Sequence, residues 1–370
     1  MVEDALTVNE PRLTVRGVRA TAINVPMTYT LGTSAQAVSV APMLLIDIET
    51  EEGVTGHAYQ FCYTPKAAGA IAIFLEDALT VIKGARVSPD DLWRTMARRY
   101  TLIGVQGIVR MAMAMINIAC WDALAKAAGA PLATYLGVSP RPVPAYNSCG
   151  LGLMAPQAVA DEAEKLLAAG FRALKLRLGY ATLKEDLAAT RAVRNRVADS
   201  VSIMTDFNQA LSREQALLRG RALDDEGIYW IEEPMRCDDY AGCADLAREI
   251  TTPVQIGENF SQVYDMEKAL AVGASDFVMP DLERIGGVSG WLRAANLARD
   301  ANIEMSSHLY PEVSVHLLAA TPTAHWLEYV DWADAFLTEP LQIVDGYAAP
   351  INKLGNGLEW DQARVKRLLM

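Results

Sequence analysis

From about residue 140 onward the chain repeats one pattern. Short apolar runs begin near Pro144 (PAYNS), Arg172 (RALKLRL), Val201 (VSIMTD), Ile228 (IYWIE), Pro253 (PVQIG), Asp276 (DFVMP), Glu304 (EMSS) and His325 (HWLE). Each but the last is followed by a helix-like amphipathic stretch such as PQAVADEAEKLLAAG. The runs recur at a mean interval of about 26 residues, the length of a strand plus a crossover helix. Near-continuous apolar strands joined by helices make a parallel sheet covered on both faces, and about eight units predict a (β/α)8 barrel over 143–334. The competing arrangement is an open doubly wound sheet, but the chain has no glycine-rich dinucleotide turn.

A proline-rich joint, Ser139 to Pro144, separates the barrel region from residues 1–142. There the runs RGVRATAINV, MLLIDIET and VTGHAYQF, with a turn at Glu51 to Val54, predict an antiparallel meander. Thr30 to Pro42 lies between two of these strands, and its Gly, Ser, Thr, Ala and Val composition predicts a mobile loop able to fold over something. Ser88 and Pro89 read as the start of a helix. The most apolar stretch, Ile108 to Trp121, carries Arg110 and Asn117 and falls short of the roughly 20 apolar residues of a membrane span. It reads as a buried helix closed by Gly129.

Composition bounds the partners and the compartment. The chain has 370 residues, 51% hydrophobic and 21% charged, enough apolar material for two domains and too much for a disordered chain. A net charge of -12 repels phosphate backbones and anionic lipid, so neither nucleic acid nor a membrane is an expected partner. The five cysteines are odd in number, scattered and without a C-x-x-C pair, which fits the reducing cytoplasm. The opening Met1-Val2-Glu3-Asp4 has no basic region and no apolar stretch after it, so no signal peptide is expected.

In a barrel of this kind the chemistry sits where strands end. The third, fourth and fifth runs end at Asp206, Glu232 and Glu258, spaced 26 residues apart, one full unit each. Three carboxylates on adjacent strands would converge at the mouth, where their repulsion calls for a Mg2+-type cation with oxygen ligands. The sixth run ends at Asp281 and the seventh at His308, a carboxylate and imidazole suited to proton transfer near neutrality. His57, His316 and His325 sit in apolar or helical settings and read as structural. Period-two alternation in RALKLRL puts Lys175 and Arg177 on one inward face, where two cations need anionic partners.

These residues resemble the enolase superfamily, and within it the mandelate racemase group. The likeness runs from Val25-Pro26 to Glu328 and is densest in WIEEP (Trp230 to Pro234), QIGEN (Gln255 to Asn259), IGGVSGW (Ile285 to Trp291) and SSHLYPEVSVHLLAATPTAHWLE. It implies an N-terminal α+β domain (1–142, joined by 335–370) capping a modified barrel. It also implies Mg2+ on Asp206, Glu232 and Glu258, an Asp281–His308 catalytic dyad, and Lys175 on the substrate carboxylate. Glu328 would be the acid hydrogen-bonding that carboxylate, with Asn208 and Ser148 as further substrate contacts. Leu31, Val38 and Tyr63 match the family's substrate pocket. Their apolar or aromatic character favours an aryl or alkyl 2-hydroxy acid over a sugar acid. The resemblance also implies a homo-oligomer, such as an octamer, acting on a small carboxylate.

One position departs from the family pattern. Where the racemases carry Lys-x-Lys, this chain has Lys175-Leu176-Arg177, and a guanidinium is a poor base at neutral pH. Three expectations follow from the resemblance and this departure. The first is Mg2+-dependent α-proton abstraction through an enediolate, racemising a mandelate-like substrate. The second is dehydration of an acid sugar with His308 as base and acid. The third is a barrel kept for binding, with weakened catalysis.

Overall fold

The computed structural model describes residues 11–370. The opening Met1 to Asp4 and the first ten residues of the expected cap lie outside the described residues. Strands β1 (Val15–Gly32), β2 (Ala37–Thr50) and β3 (Thr55–Phe61) form the antiparallel meander in sequence order. The stretch 30–42 is not a loop. Leu31 pairs with Val38 and Gly32 with Ala37, so only Thr33 to Gln36 turns. Here β1 and β2 satisfy each other's backbone groups, a non-local pairing that composition does not report, and a register shift between Pro26 and Leu31 re-aims the hairpin.

Helices α1 (Pro65–Ile82), α2 (Pro89–Tyr100) and α3 (Gly107–Ala127) follow. At 21 residues α3 is longer than the apolar stretch seen in the sequence and would reach across a bilayer, yet 89% of its most apolar window is buried inside the protein. It is the core helix between sheet and barrel. Asn117 on α3 donates to Ser289 Oγ at 3.1 Å and accepts from Ser289 N at 3.1 Å. The approach requires glycine at 287, where φ is +68° and a Cβ would stand 2.7 Å from Asn117 Oδ1.

Eight strands then close a barrel: β4 (Val143–Asn147), β5 (Ala173–Arg177), β6 (Ser202–Asp206), β7 (Ile228–Glu232), β8 (Val254–Ile256), β9 (Phe277–Val278), β10 (Glu304–Met305) and β11 (Leu327–Tyr329). Neighbours pair in parallel from β4 to β10, and β11 returns to pair with β4. Main-chain bonds from Met305 N to Thr323 O (2.8 Å) and from His325 N to Met305 O (3.0 Å) close the last seam. After β11 comes a 3-10 turn, Trp332–Ala335, instead of an eighth helix, which makes the barrel a modified one.

Alternation along the strands builds the interior in layers. Tyr146, Ala173, Met204 and Trp230 form a buried apolar plug, and two residues further along each strand stand Ser148, Lys175, Asp206 and Glu232. Lys175 Nζ lies 5.9 Å above the Tyr146 ring, and Trp230 Nε1 donates to Glu232 at 3.3 Å. The C-terminal segment pairs with β4 through Tyr347 and Ala348, then reaches the meander, where Trp360 Nε1 donates to Asp47 at 2.7 Å and Leu369 bridges to Ile23.

Candidate active site

The ionisable layer and the strand ends above it open into a cavity of about 240 Å³ roofed by the β1–β2 hairpin. Ser34 at the hairpin tip donates to Phe207 O at 3.0 Å, and Leu153 N donates to Gly32 O at 3.2 Å. That seat also depends on glycine, since a Cβ at 152 would come within 2.6 Å of Gly32 O.

Asp206, Glu232 and Glu258 converge as expected, each offering an oxygen within 4.8 Å of the others. A donor set of three carboxylates, two buried and Glu258 partly exposed, all hard oxygen ligands, fits a divalent cation of the Mg2+ type. Lys175 Nζ reaches Glu328 at 2.7 Å, Glu232 at 2.8 Å and Asp206 at 3.5 Å. Burial alone would push this lysine toward neutrality; the three carboxylates overcome that and hold its pKa above the usual value. Burial and the crowding carboxylates push Glu232 up to about 8 despite Lys175. Three carboxylates around one ammonium crowd acidic groups at a point where a cation would relieve their repulsion.

His308 Nδ1 and Asp281 Oδ2 lie 2.6 Å apart, and Asp281 Oδ1 accepts from Glu283 N (2.7 Å) and Arg284 N (3.2 Å), capping the short helix Leu282–Ile285. The dyad therefore leaves His308 Nε2 directed at the cavity, 3.3 Å from Glu258 and 3.9 Å from Glu328. Burial opposes the charged imidazole, but Glu258, Glu328 and Asp281 raise its pKa to about 10. Glu328 accepts from Leu309 N at 2.8 Å, and although burial raises its pKa, Lys175 and His308 bring it down to about 2. Those two contacts favour the ionised form of Glu328.

Arg177 is immobilised. Nη1 donates to Gly150 O at 2.6 Å, and Nη2 donates to Ser148 O at 3.1 Å and Ser148 Oγ at 3.2 Å. Its Nε is buried without a partner. Ser148 lies beneath the cavity wall, where it anchors Arg177 and hydrogen-bonds Glu328. Asn208 lines the cavity and donates twice to Asp206, at 2.7 and 2.8 Å. Leu31 and Tyr63 line the cavity, but Val38, although paired with Leu31, is not part of the lining. The lining also includes residues the sequence reading missed: Phe61, Val330 and Trp332 on an apolar side, and Gln209, Glu233, Asn259 and Arg284 on a polar one. The second acid of WIEEP and the arginine three places after Asp281 were the available signals.

Comparison with known proteins agrees with this geometry. Residues 158–364 match the family described as enolase C-terminal domain-like, and residues 15–137 match the mandelate racemase / muconate lactonizing enzyme N-terminal domain. The chain belongs to the enolase superfamily, in its mandelate racemase / muconate lactonizing enzyme group, and is an enzyme. An enolase from alpha pretobacterium bal199 with bound magnesium is 42% identical, with a TM-score of 0.95 over 97% of this chain and 100% of that one. An enolase from Bradyrhizobium complexed with magnesium and mandelic acid is 38% identical, with a TM-score of 0.92 over 97% and 99%. The L-talarate/galactarate dehydratase of Salmonella typhimurium is 32% identical over 82% of this chain and 77% of its own length.

Proposed function

We propose that this enzyme dehydrates a 2,3-dihydroxycarboxylate, an acid sugar, by Mg2+-dependent, one-base chemistry through an enediolate. The observation that carries the reading is Arg177: at the place of the family's second base stands a guanidinium whose two terminal nitrogens donate to the oxygens of Gly150 and Ser148. A guanidinium engaged in those bonds is a poor base, so the reading assigns the α-proton to His308, whose Nε2 faces the cavity. The similarity to the Salmonella dehydratase supports the same direction.

Bound by Asp206, Glu232 and Glu258, Mg2+ would polarise the substrate carboxylate and take up part of the Glu258 charge that faces His308. Lys175 supplies a fixed positive charge to that carboxylate. A substrate carboxylate beside Glu328 favours a proton shared between the two, which gives Glu328 the acid role. His308 Nε2 takes the α-proton, and the C–H electron pair passes into the enediolate. As the carbonyl reforms, the pair expels the β-hydroxyl, His308 returns the proton to it, and water leaves. The enol left behind takes a proton from solvent at C3, releases the proton of its C2 hydroxyl, and becomes a 2-keto-3-deoxy acid.

Racemisation of an aryl 2-hydroxy acid is the second reading, favoured by the apolar side of the cavity, Leu31, Phe61, Val330 and Trp332, and by the Bradyrhizobium structure with mandelic acid. A panel of sugar acids and aryl 2-hydroxy acids incubated with Mg2+ in D2O and followed by NMR separates the two. Keto-acid formation from a sugar acid is expected. Equal α-hydrogen exchange from both enantiomers of an aryl acid, with no keto product from any sugar acid, would overturn the dehydratase reading.

A further inference from the structure

Arg284 stands in the short helix that follows Asp281, and its guanidinium touches both halves of the molecule. Nη1 donates to Asn259 Oδ1 at 2.8 Å, to the Glu258 main-chain oxygen at 3.1 Å and toward Glu258 Oε1 at 3.5 Å. Nη2 donates to the hydroxyl of Tyr63, and the guanidinium carbon lies 5.4 Å from the centroid of the Tyr63 ring. Tyr63 comes from the N-terminal side of the molecule, just after β3, and its φ of 60° is left-handed, unusual for an aromatic residue. Tilted packing against Phe61, with ring centroids 4.4 Å apart, holds it there. Asn259 completes the shell by donating to Glu258 Oε1 at 3.1 Å and to Glu233 Oε1 at 2.7 Å.

Glu258 is therefore fixed from two directions: Arg284 and Asn259 hold Oε1, and Oε2 faces His308 Nε2 at 3.3 Å. Without the guanidinium, Glu258 would stand among Glu233 and Asp206 with less to hold it in ligand geometry. We infer that Arg284 is a positioning residue that ties the side chain of Tyr63 to the third carboxylate of the cation site, so that metal affinity depends on a residue of the β3 end. The inference rests on the reading of Asp206, Glu232 and Glu258 as a Mg2+ site. Outer-shell partners of metal ligands change affinity by about 10- to 100-fold when removed, and a single hydrogen bond by about 2- to 10-fold.

The test is calorimetric titration of Mg2+ into metal-free full-length enzyme without substrate, comparing wild type, Arg284→Gln, Arg284→Lys and Tyr63→Phe. Arg284→Gln is expected to weaken binding by about 10- to 100-fold, with Arg284→Lys recovering part of the loss, and Tyr63→Phe by about 2- to 10-fold. A role limited to touching substrate moves none of these affinities. Tyr63→Phe keeps the ring and its packing, so it decides the matter if Arg284→Gln does not fold. Wild-type affinity in Tyr63→Phe overturns the link to the β3 end, and wild-type affinity in both Arg284→Gln and Tyr63→Phe overturns the inference whole. Absence of Mg2+ binding by the wild type would instead remove the metal reading on which it rests.

Discussion

Restoring lysine at position 177 tests whether the second face of the substrate lacks a base. An ammonium gives up its proton more readily than a guanidinium, by about 2.9 kcal/mol or about 100-fold in the population of the basic form. Structure sets the opposing cost. Arg177 fills the oxygens of Gly150 and Ser148 with a planar fork, and one ammonium cannot reach all of them in the same geometry. A buried carbonyl left unpaired costs about 1–3 kcal/mol. Arg177→Lys is therefore expected to lose about 1–3 kcal/mol of folding stability while α-hydrogen exchange on the face away from His308 rises by up to about 100-fold. Exchange of each enantiomer in D2O, read by proton NMR, and urea unfolding of both proteins supply the measurements. Exchange from that face at an unchanged rate in a folded variant would refute the account of Arg177, as would equal exchange from both faces by the wild type.

Four further outcomes are expected. His308→Asn should lower turnover by about 10²- to 10⁴-fold, the usual contribution of a general base, and with it all α-hydrogen exchange from the His308 face, measured by steady-state assay and NMR. Mg2+ at 100 times its dissociation constant should stabilise the protein by about 2.7 kcal/mol, and Asp206→Asn should abolish that gain in a thermal-shift titration. Burial lowers the pKa of His316 and of His325 to about 4, so their stabilising contribution is complete above about 6.5 and is lost as pH falls toward 4. His316→Asn should remove about half of the histidine-linked fall in the urea midpoint between pH 7 and 4.5, since each histidine is worth about 2 kcal/mol over that window and His325 remains. Glu312 behaves in the opposite sense. Burial pushes it up to about 7 despite a hydrogen bond from Tyr59, so the stability it contributes is complete below about 4.5 and lost as pH rises through 7. Glu312→Gln should match wild type at pH 5 and exceed it at pH 8.5 in chemical denaturation.

What the sequence disclosed depended on how local the signal was. Each βα unit carries its own strand pattern and helix, so all eight barrel strands could be placed from runs such as RALKLRL and VSIMTD. Asp206, Glu232 and Glu258 were legible because a strand end recurs once per unit, so equal spacing means a common height in the barrel. The β1–β2 hairpin was not, because its pairing joins Leu31 to Val38 through a register shift that no composition reveals. Arg284 escaped notice for the same reason: its partner Tyr63 is 221 residues away. The role of Glu328 came from resemblance, but its charge depends on a 2.7 Å contact with Lys175 that no alignment of letters expresses.

The roof formed by the hairpin has a consequence for how such an enzyme can diverge. Thr33, Ala35 and Gln36 look into the cavity from a turn that contributes nothing to closing the barrel, whereas a one-residue slip in β5 or β6 would exchange the ionisable layer for its apolar backing. Mutation can therefore vary Thr33, Ala35 and Gln36 while Ser34 keeps the turn seated and the proton-transfer machinery stays intact. New substrate preferences in this lineage should arise first as changes in the length and identity of residues 33–36, and grafting that turn between relatives is the shortest route to exchanging what they accept.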